Sequence, residues 1–474
     1  MEGCDMRRTR NVKVVATLGP ASRTPDIIHS LFIAGADVFR LNMSHGNHED
    51  MAEYHSAIRK IEKNLGRPIG ILADLQGPKL RIGCIKDNII LKEGCDFYLD
   101  LIDDTGDEQR VCFPHEEIFE TLQEGMLLLI DDGKIRLEIK EVSPDRLHTV
   151  IKNGGPIASN KGVNVPDAIL PVRALSEKDK IDIEFCMRLG VDWVALSFVQ
   201  RAEDIIEARD IIGDRAWIMA KMERPLAMDH LNEIIKESDG IMVARGDLGV
   251  ELPIEKVPGL QKSIVGACRE AGKPVVVATQ MLESMVDSSG PTRAEVSDVA
   301  TAVFEGVDAV MLSSESAVGN YPAESVAMMN SVANSVQNDS HYRSFIERAS
   351  TLPETTSADA ITRAARQVAE TIKASSIICY TNSGSTALRA SRERPDVPIL
   401  VLTPRRDTAR RMAIVWGVHC VETEDASSFR DMVDKATSIA RSEEIAIDGS
   451  QVVITAGVPF GTPGGTNILR IATI

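Results

Sequence analysis

Two short segments put a lysine and two carboxylates where a phosphoryl group could be handled. Lys221, Met222 and Glu223 end the apolar run Ala216 to Ala220, and Arg245, Gly246 and Asp247 end the run Gly240 to Ala244. If both runs are buried parallel strands, the ammonium and the two acids emerge side by side at the strand ends. Carboxylates with open positions around them are what Mg2+ takes when a phosphate completes its shell, so the pattern predicts phosphoryl transfer. An ion pair of Lys221 with Glu223 or Asp247 is the simpler alternative, and Gly246 reads equally well as a loop glycine.

The elements that must position these residues show in a recurring phrase: Gly35-Ala-Asp37-Val-Phe-Arg-Leu41, Gly190-Val-Asp192-Trp-Val-Ala-Leu-Ser197 and Gly306-Val-Asp308-Ala-Val-Met-Leu-Ser313. Each follows a helix-like segment, so the glycine is a helix stop and the apolar run a buried strand. The first helix has Thr24 to cap it, Pro25 in its first turn, a face of Ile27, Ile28, Leu31 and Phe32, and Gly35 to end it. Another begins at Ser176, with Asp179 as its capping-box partner. Buried strands are expected at Lys13 to Leu18, Asp37 to Leu41, Ile69 to Ala73, Asp192 to Ser197, Ala216 to Ala220, Gly240 to Ala244, Pro274 to Ala278 and Ala309 to Leu312. Eight such βα units suggest an α/β (β/α)8 barrel.

The rhythm breaks between Pro78 and Leu170. Short strands at Ile89 to Leu91, Phe97 to Leu101, Leu127 to Ile130, Ile135 to Ile139 and Leu147 to Ile151, with a hairpin turn at Asp132-Gly133, predict a small inserted β domain. After about Ser350 a βα pattern resumes, with strands at Ile377 to Tyr380, Ile399 to Leu402, His419 to Glu422 and Val452 to Ala456. The expected domains are therefore a discontinuous barrel (1–77 and 171–345), a β lid (78–170) and a C-terminal α/β domain (346–474).

A chain of 474 residues exceeds one hydrophobic core. Its net charge of −17 argues against a nucleic-acid or anionic-membrane partner, and an anionic substrate would need a local cationic pocket. The eight cysteines lie far apart without metal-type spacing and read as buried apolar groups of a reduced protein. Arg7, Arg8 and Arg10 precede a strand-like run and not a signal-peptide core, and no stretch approaches a membrane span, so a soluble cytoplasmic protein is expected.

On the rim where strands end, the sequence places Arg40, Asn42, Ser44 and His45 after strand two, Asp74 after strand three, Lys221 and Glu223 after strand five, Gly246 and Asp247 after strand six, Thr279 after strand seven, and Ser313 and Glu315 after strand eight. Each alone is as readily a satisfied polar residue; together they resemble the pyruvate kinase family over essentially the whole chain. The resemblance rests on Ala16-Thr-Leu-Gly-Pro20, Arg40-Leu-Asn-Met-Ser-His-Gly46, Asp74-Leu-Gln-Gly-Pro-Lys-Leu-Arg81, Asn160-Lys-Gly-Val-Asn164, Lys221-Met-Glu223, Met242-Val-Ala-Arg-Gly-Asp-Leu-Gly249, Ala278-Thr-Gln-Met281, Pro291-Thr-Arg-Ala-Glu295 and Met311-Leu-Ser-Ser-Glu315.

This resemblance implies transfer of the phosphoryl group of phosphoenolpyruvate to ADP, giving pyruvate and ATP at the end of glycolysis. It implies that Lys221 stabilises the moving phosphoryl group, that Arg40 contacts it, and that Glu223 and Asp247 bind Mg2+ or Mn2+. Gly246 and Asp247 would meet the substrate carboxylate through backbone N–H groups. Asn42, Ser44, His45, Arg81 and Lys161 would line the nucleotide site, and Thr279, with Glu315 in the same network, the path that protonates the enolate. Many members bind K+ through groups matching Asn42, Ser44, Asp74 and the carbonyl of Leu75. This chain has Lys79 where those members have glutamate, as in bacterial members resembling K+-independent enzymes, so K+ is not expected to be required; a solvated hinge lysine is the alternative.

In the third domain, Thr381, Ser383, Gly384, Ser385 and Thr386 form a hydroxyl and glycine loop between a strand and a helix, which can cradle a phosphate or serve only as a helix cap. The resemblance makes it a sugar-phosphate effector site, closed by the loop Gly457 to Gly465, and implies a homotetramer. Two other functions stay open at this point. One is a mutase or lyase acting on a phosphoenolpyruvate or pyruvate enolate, against which the lid with Arg81 and Lys161 argues. The other is a silent sugar-phosphate sensor, against which Lys221, Glu223 and Asp247 argue.

Overall fold

The computed structural model describes residues 7–166, 168, 171, 173–348, 353–459 and 465–474. Eight parallel strands, Lys13–Thr17, Val38–Asn42, Gly70–Asp74, Trp193–Leu196, Trp217–Met222, Gly240–Ala244, Val275–Ala278 and Ala309–Leu312, pair in chain order. The first also pairs with the eighth, so the sheet closes into a barrel. Almost every strand residue is buried, which is why these strands read as unbroken apolar runs and not as alternations. Period two sorts them. Val15, Val38, Leu72, Trp193, Ala195, Met219, Met242, Val276 and Met311 belong to one packed cluster, while their neighbours face the helices. Two residues beyond Val38, Leu72, Ala195 and Met219 come Arg40, Asp74, Ser197 and Lys221, so the same inward series turns polar at the strand ends.

The aspartate of the recurring phrase starts the strands. Asp37, Asp192 and Asp308 accept the backbone N–H groups of Val14, Ile71 and Val275 on the adjacent strand at 2.9, 2.8 and 3.1 Å. Asp239, before Gly240, does the same for Ile218 at 2.8 Å. Each also carries an arginine: Arg10 with Asp37, Arg59 with Asp192, Arg209 with Asp239 and Arg394 with Asp308. At the N-terminal end of the barrel, an acid thus satisfies one of the first two donors of the neighbouring strand and is itself neutralised.

Asp308 also holds the third domain, accepting the Trp416 N–H at 3.1 Å and pairing with Arg394 at 3.0 Å. We expect Asp308→Ala to cost about 3 kcal/mol or more, because it leaves the buried Arg394 without its acid. A lowered first transition in thermal unfolding, with Asp308→Asn less affected, would be the observation.

The first helix spans Pro25–Ala34, with Thr24 accepting the Ile27 N–H and Gly35 ending it. Helix Glu177–Leu189 opens with the expected capping box of Ser176 and Asp179. The insert after the third strand builds a six-stranded ladder in the order Val163–Asn164, Leu127–Ile130, Ile135–Ser143, Arg146–Asn153, Asp96–Asp100 and Arg110–Cys112. A two-stranded ladder joins Ile90–Leu91 to Gly155–Pro156. The insert has its own core, with Phe97, Leu99, Phe113, Leu128, Ile130 and Leu137, and Asp132 and Gly133 at the hairpin turn have positive φ of 56° and 80°.

The C-terminal sheet has four parallel strands, Ser376–Tyr380, Ile399–Thr403, Val418–Glu422 and Gln451–Ala456, and an antiparallel edge strand, Ile468–Thr473, that no pattern had announced. It docks against the N-terminal end of the barrel, where Trp193 Nε1 donates to the Arg411 carbonyl and the buried Lys13 ammonium to that of Val418. The middle of the expected Gly457 to Gly465 loop, residues 460–464, and the boundary positions Leu170 and Ser350 lie outside the described residues. So does Cys4; of the other seven cysteines all are free, but Cys84 and Cys95 are exposed, which corrects the expectation that every thiol is buried. Both lie on the small insert, whose core has little depth to cover them. Among the described residues no helix is long and apolar enough to cross a membrane.

Candidate functional site

Strand five runs through Met222, so Lys221 is a strand residue and not the first one after it. Its ammonium, only 8 % exposed as a residue, lies 2.8 Å from Glu223 Oε1, 3.2 Å from Asp74 Oδ1 and 2.7 Å from Ser197 Oγ. The ion pair with Glu223 is therefore present, with Asp74 as the second acid where Asp247 had been considered. Burial works against the charged amine, but Asp74, Glu223 and Asp247 outweigh it and hold the Lys221 pKa above the ordinary lysine value. Arg40 Nε bonds Asp74 Oδ2 at 2.7 Å and its Nη1 bonds Thr17 at 3.1 Å. Burial would raise the Asp74 carboxyl, but Lys221 and Arg40 together bring it below its usual value.

Glu223 is buried and accepts the Phe198 N–H at 2.8 Å with its second oxygen. Burial raises this carboxyl, Lys221 opposes the rise and Asp247 adds to it. Asp247, half-buried in the first turn of helix Arg245–Glu251, takes no hydrogen bond or ion pair through its carboxylate from another described residue. The cluster thus holds three carboxylates against two cations, and one acid is uncommitted. No group of three or more His, Cys, Asp or Glu among the described residues forms a ready metal cage.

Thr279 has a φ of 70°, costly for a β-branched residue. Arg245 holds that turn, donating to the carbonyls of Thr279 and Gln280 at 2.9 and 3.2 Å while pairing with Asp298 at 2.6 Å. The Thr279 hydroxyl donates to Ala278 O and accepts the Gly246 N–H at 2.7 Å. Of the two N–H groups expected to meet a carboxylate, that of Gly246 is thus already engaged. Glu315 is fully buried and accepts the N–H groups of Leu282 and Ser313 at 3.1 and 2.7 Å. It ties two rim loops together and makes no hydrogen bond to Thr279.

The expected nucleotide residues gather around the loop after strand two. Asn42 Oδ1 accepts the Ser44 N–H at 3.1 Å. His45 is exposed, and its pKa is lowered by partial burial and by the charges of Lys79, Arg81 and Arg40 around it. Arg81 donates to the Asn160 carbonyl at 2.8 Å, and Lys161 pairs with Asp131 at 2.8 Å. Lys79 is exposed, with its side chain against Gly162 and no ion pair to Asp74. Leu75 O is taken by the Ser197 hydroxyl at 2.8 Å, which closes a chain from Lys221 through Ser197 to Leu75.

One carboxylate ties the approach to the insert to a barrel helix: Asp179, which closes the capping box at Ser176, also accepts the Gly77 N–H at 3.1 Å. Far from the mouth, the loop Thr381 to Thr386 sits between strand and helix as expected. There Thr381 accepts the Gly384 N–H at 2.9 Å, Ser383 bonds Ser385 at 3.2 Å and Thr386 bonds Thr466 at 2.7 Å. Ser197 and Arg245 were on the page as sequence, one closing a repeat and one opening a motif, but their roles need partners remote in the chain.

An anion-rich floor with one protonated amine, rimmed by arginine, lysine and histidine, suits the handling of a phosphoryl group between two anionic molecules, the work of a phosphotransferase. The comparisons agree. Residues 9–326 match the family model described as pyruvate kinase, barrel domain, and residues 359–472 that described as pyruvate kinase, alpha/beta domain. A pyruvate kinase of Methylorubrum extorquens is 53% identical over 470 residues, covering 99% of this chain and 98% of that one. One from Agrobacterium vitis is 48% identical over 471 residues (99% and 98%), and one from Geobacillus stearothermophilus 38% over 472 (98% and 80%). The chain belongs to the pyruvate kinase family and is a kinase.

Proposed function

We propose that this enzyme transfers the phosphoryl group of phosphoenolpyruvate to ADP and then lets the enolate of pyruvate take a proton at carbon. The observation that carries the site assignment is the imbalance around Lys221: three carboxylates, two cations and an uncommitted Asp247. Such a set fits a divalent cation, and Glu223 and Asp247 would hold Mg2+ or Mn2+ while leaving positions for substrate and water. When bound, the ion would neutralise charge on the phosphoryl oxygens and the enolate.

The chain's own groups do the rest. Lys221 and Arg40, oriented by Asp74, Ser197 and Thr17, hold the moving phosphoryl group in a buried site where charge is poorly screened. Asn42, Ser44, His45 and Arg81 receive the nucleotide phosphates, with Lys161 released from Asp131 to join them. Thr279, held in a strained turn by Arg245, lies in the proton path, and Glu315 keeps its loop in place. Asp247 and the start of its helix receive the substrate carboxylate.

Asp74 already has Arg40 and Lys221 as partners, and Lys79 adds positive charge at the mouth, so we read the activity as independent of K+. In the third domain the loop Thr381 to Thr386 would take a sugar phosphate. The family also suggests a cytoplasmic homotetramer, with domains at 1–77 and 171–345, 78–170 and 346–474.

ADP-dependent pyruvate formation, followed by coupled lactate dehydrogenase, tests the reaction. In a Na+-free buffer balanced with tetramethylammonium, adding K+ should change the rate less than about twofold, since two cations already face Asp74. A strong rise with K+ would refute that part of the reading, and absence of pyruvate the whole.

A further inference from the structure

The inserted sheet reaches the barrel mouth through Asn164, whose Nδ2 donates to Glu251 Oε1 at 2.7 Å. Glu251 is buried, and its other oxygen meets Arg224 at 3.3 Å. Glu251 is the last residue of the helix whose first turn carries Gly246 and Asp247. Arg224 directly follows Glu223 and lies 5.4 Å from the ring of Phe198, whose N–H binds Glu223. The hairpin tip of the insert leans on the same helix, where a Cβ on Gly133 would stand 3.9 Å from Val250.

A buried carboxylate needs donors on both oxygens, and here one of them comes from a separately folded sheet. When the sheet leaves, Glu251 loses a partner at a point joined by one helix and one turn to both acids of the Lys221 cluster. We propose that Asn164, Glu251 and Arg224 are positioning residues that latch the insert over the mouth and couple its closure to the setting of Glu223 and Asp247. The kinetic consequence rests on the phosphotransfer reading; the latch itself does not.

Asn164→Ala should raise amide hydrogen exchange in segment 155–166 several-fold and lower kcat/KM for ADP roughly tenfold, the scale of a hydrogen bond to a charged group. Phosphoenolpyruvate binding measured without nucleotide should weaken by much less. The double variant Asn164→Asp with Glu251→Gln exchanges donor and acceptor across the contact and should recover most of both effects. Wild-type exchange and ADP kinetics in Asn164→Ala would overturn the proposal, as would an equal loss of phosphoenolpyruvate affinity without nucleotide. If the unaltered enzyme transfers nothing to ADP, the phosphotransfer reading falls, while the exchange experiment still decides the latch.

Discussion

Replacing Lys221 with methionine should reduce kcat by about 10³-fold or more, the range found when one charge-stabilising group is removed from a phosphoryl- or acyl-transfer site. The substitution keeps the length and apolar stem of the side chain, so the strand and the inner packing at Met219 survive it. What disappears is the ammonium, 2.8 Å from Glu223 and 3.2 Å from Asp74. Asp74 and Glu223 are then left buried, with Arg40 paired to Asp74 as the one remaining cation bonded to either among the described residues, and stability should fall by about 3 kcal/mol or more. Divalent cation should restore part of the melting temperature without restoring turnover, which separates the structural task of Lys221 from its catalytic one. Lys221→Arg should also fail, because a planar fork cannot occupy the point where a compact ammonium meets three oxygens. Near-normal kcat in either variant would remove Lys221 from the reaction.

Asp247→Asn should reduce activity sharply and leave stability almost unchanged. Its carboxylate is bonded to no other described residue; it repels Glu223 but attracts the Lys221 ammonium, and because the two oppose, the metal-free protein should melt at nearly the same temperature. Activity should fall by about 10²–10³-fold and the Mg2+ needed for half-maximal rate should rise, because one of two protein ligands to a transition-state cation is lost. Glu223→Gln should share the activity loss and also lower stability, since that side chain accepts from Lys221 and the Phe198 N–H. Unchanged activity would show that Asp247 is surface charge and nothing more.

The barrel was legible because strands buried on both sides leave an unbroken apolar signature, closed on one side by a helix-ending glycine. The edges of elements were not. Strand five continues through Lys221 because its amine is neutralised within the barrel, which no local pattern displays. Strands as short as Val163–Asn164 contain too few residues to alternate, and the edge strand Ile468–Thr473 follows a loop rich in proline and glycine. At the site, residue types pointed to charge and metal chemistry, but which acid meets which base depended on the closing of the barrel. Asp74 was read as a cation ligand from the family pattern; its contact with Lys221 arises only because strands three and five point inward in the same layer. Similarly, Glu315 and the Gly246 N–H looked available in sequence and are bound to loop partners in space.

Gly77, the last residue before the insert, is tied to Asp179 at the start of a barrel helix, and it stands three residues beyond Asp74. The chain thus enters the insert from a point pinned to the barrel by one buried carboxylate. If the insert closes over a nucleotide as proposed, the near end of that movement is set by an acid that touches neither substrate, beside the residue that steadies Arg40.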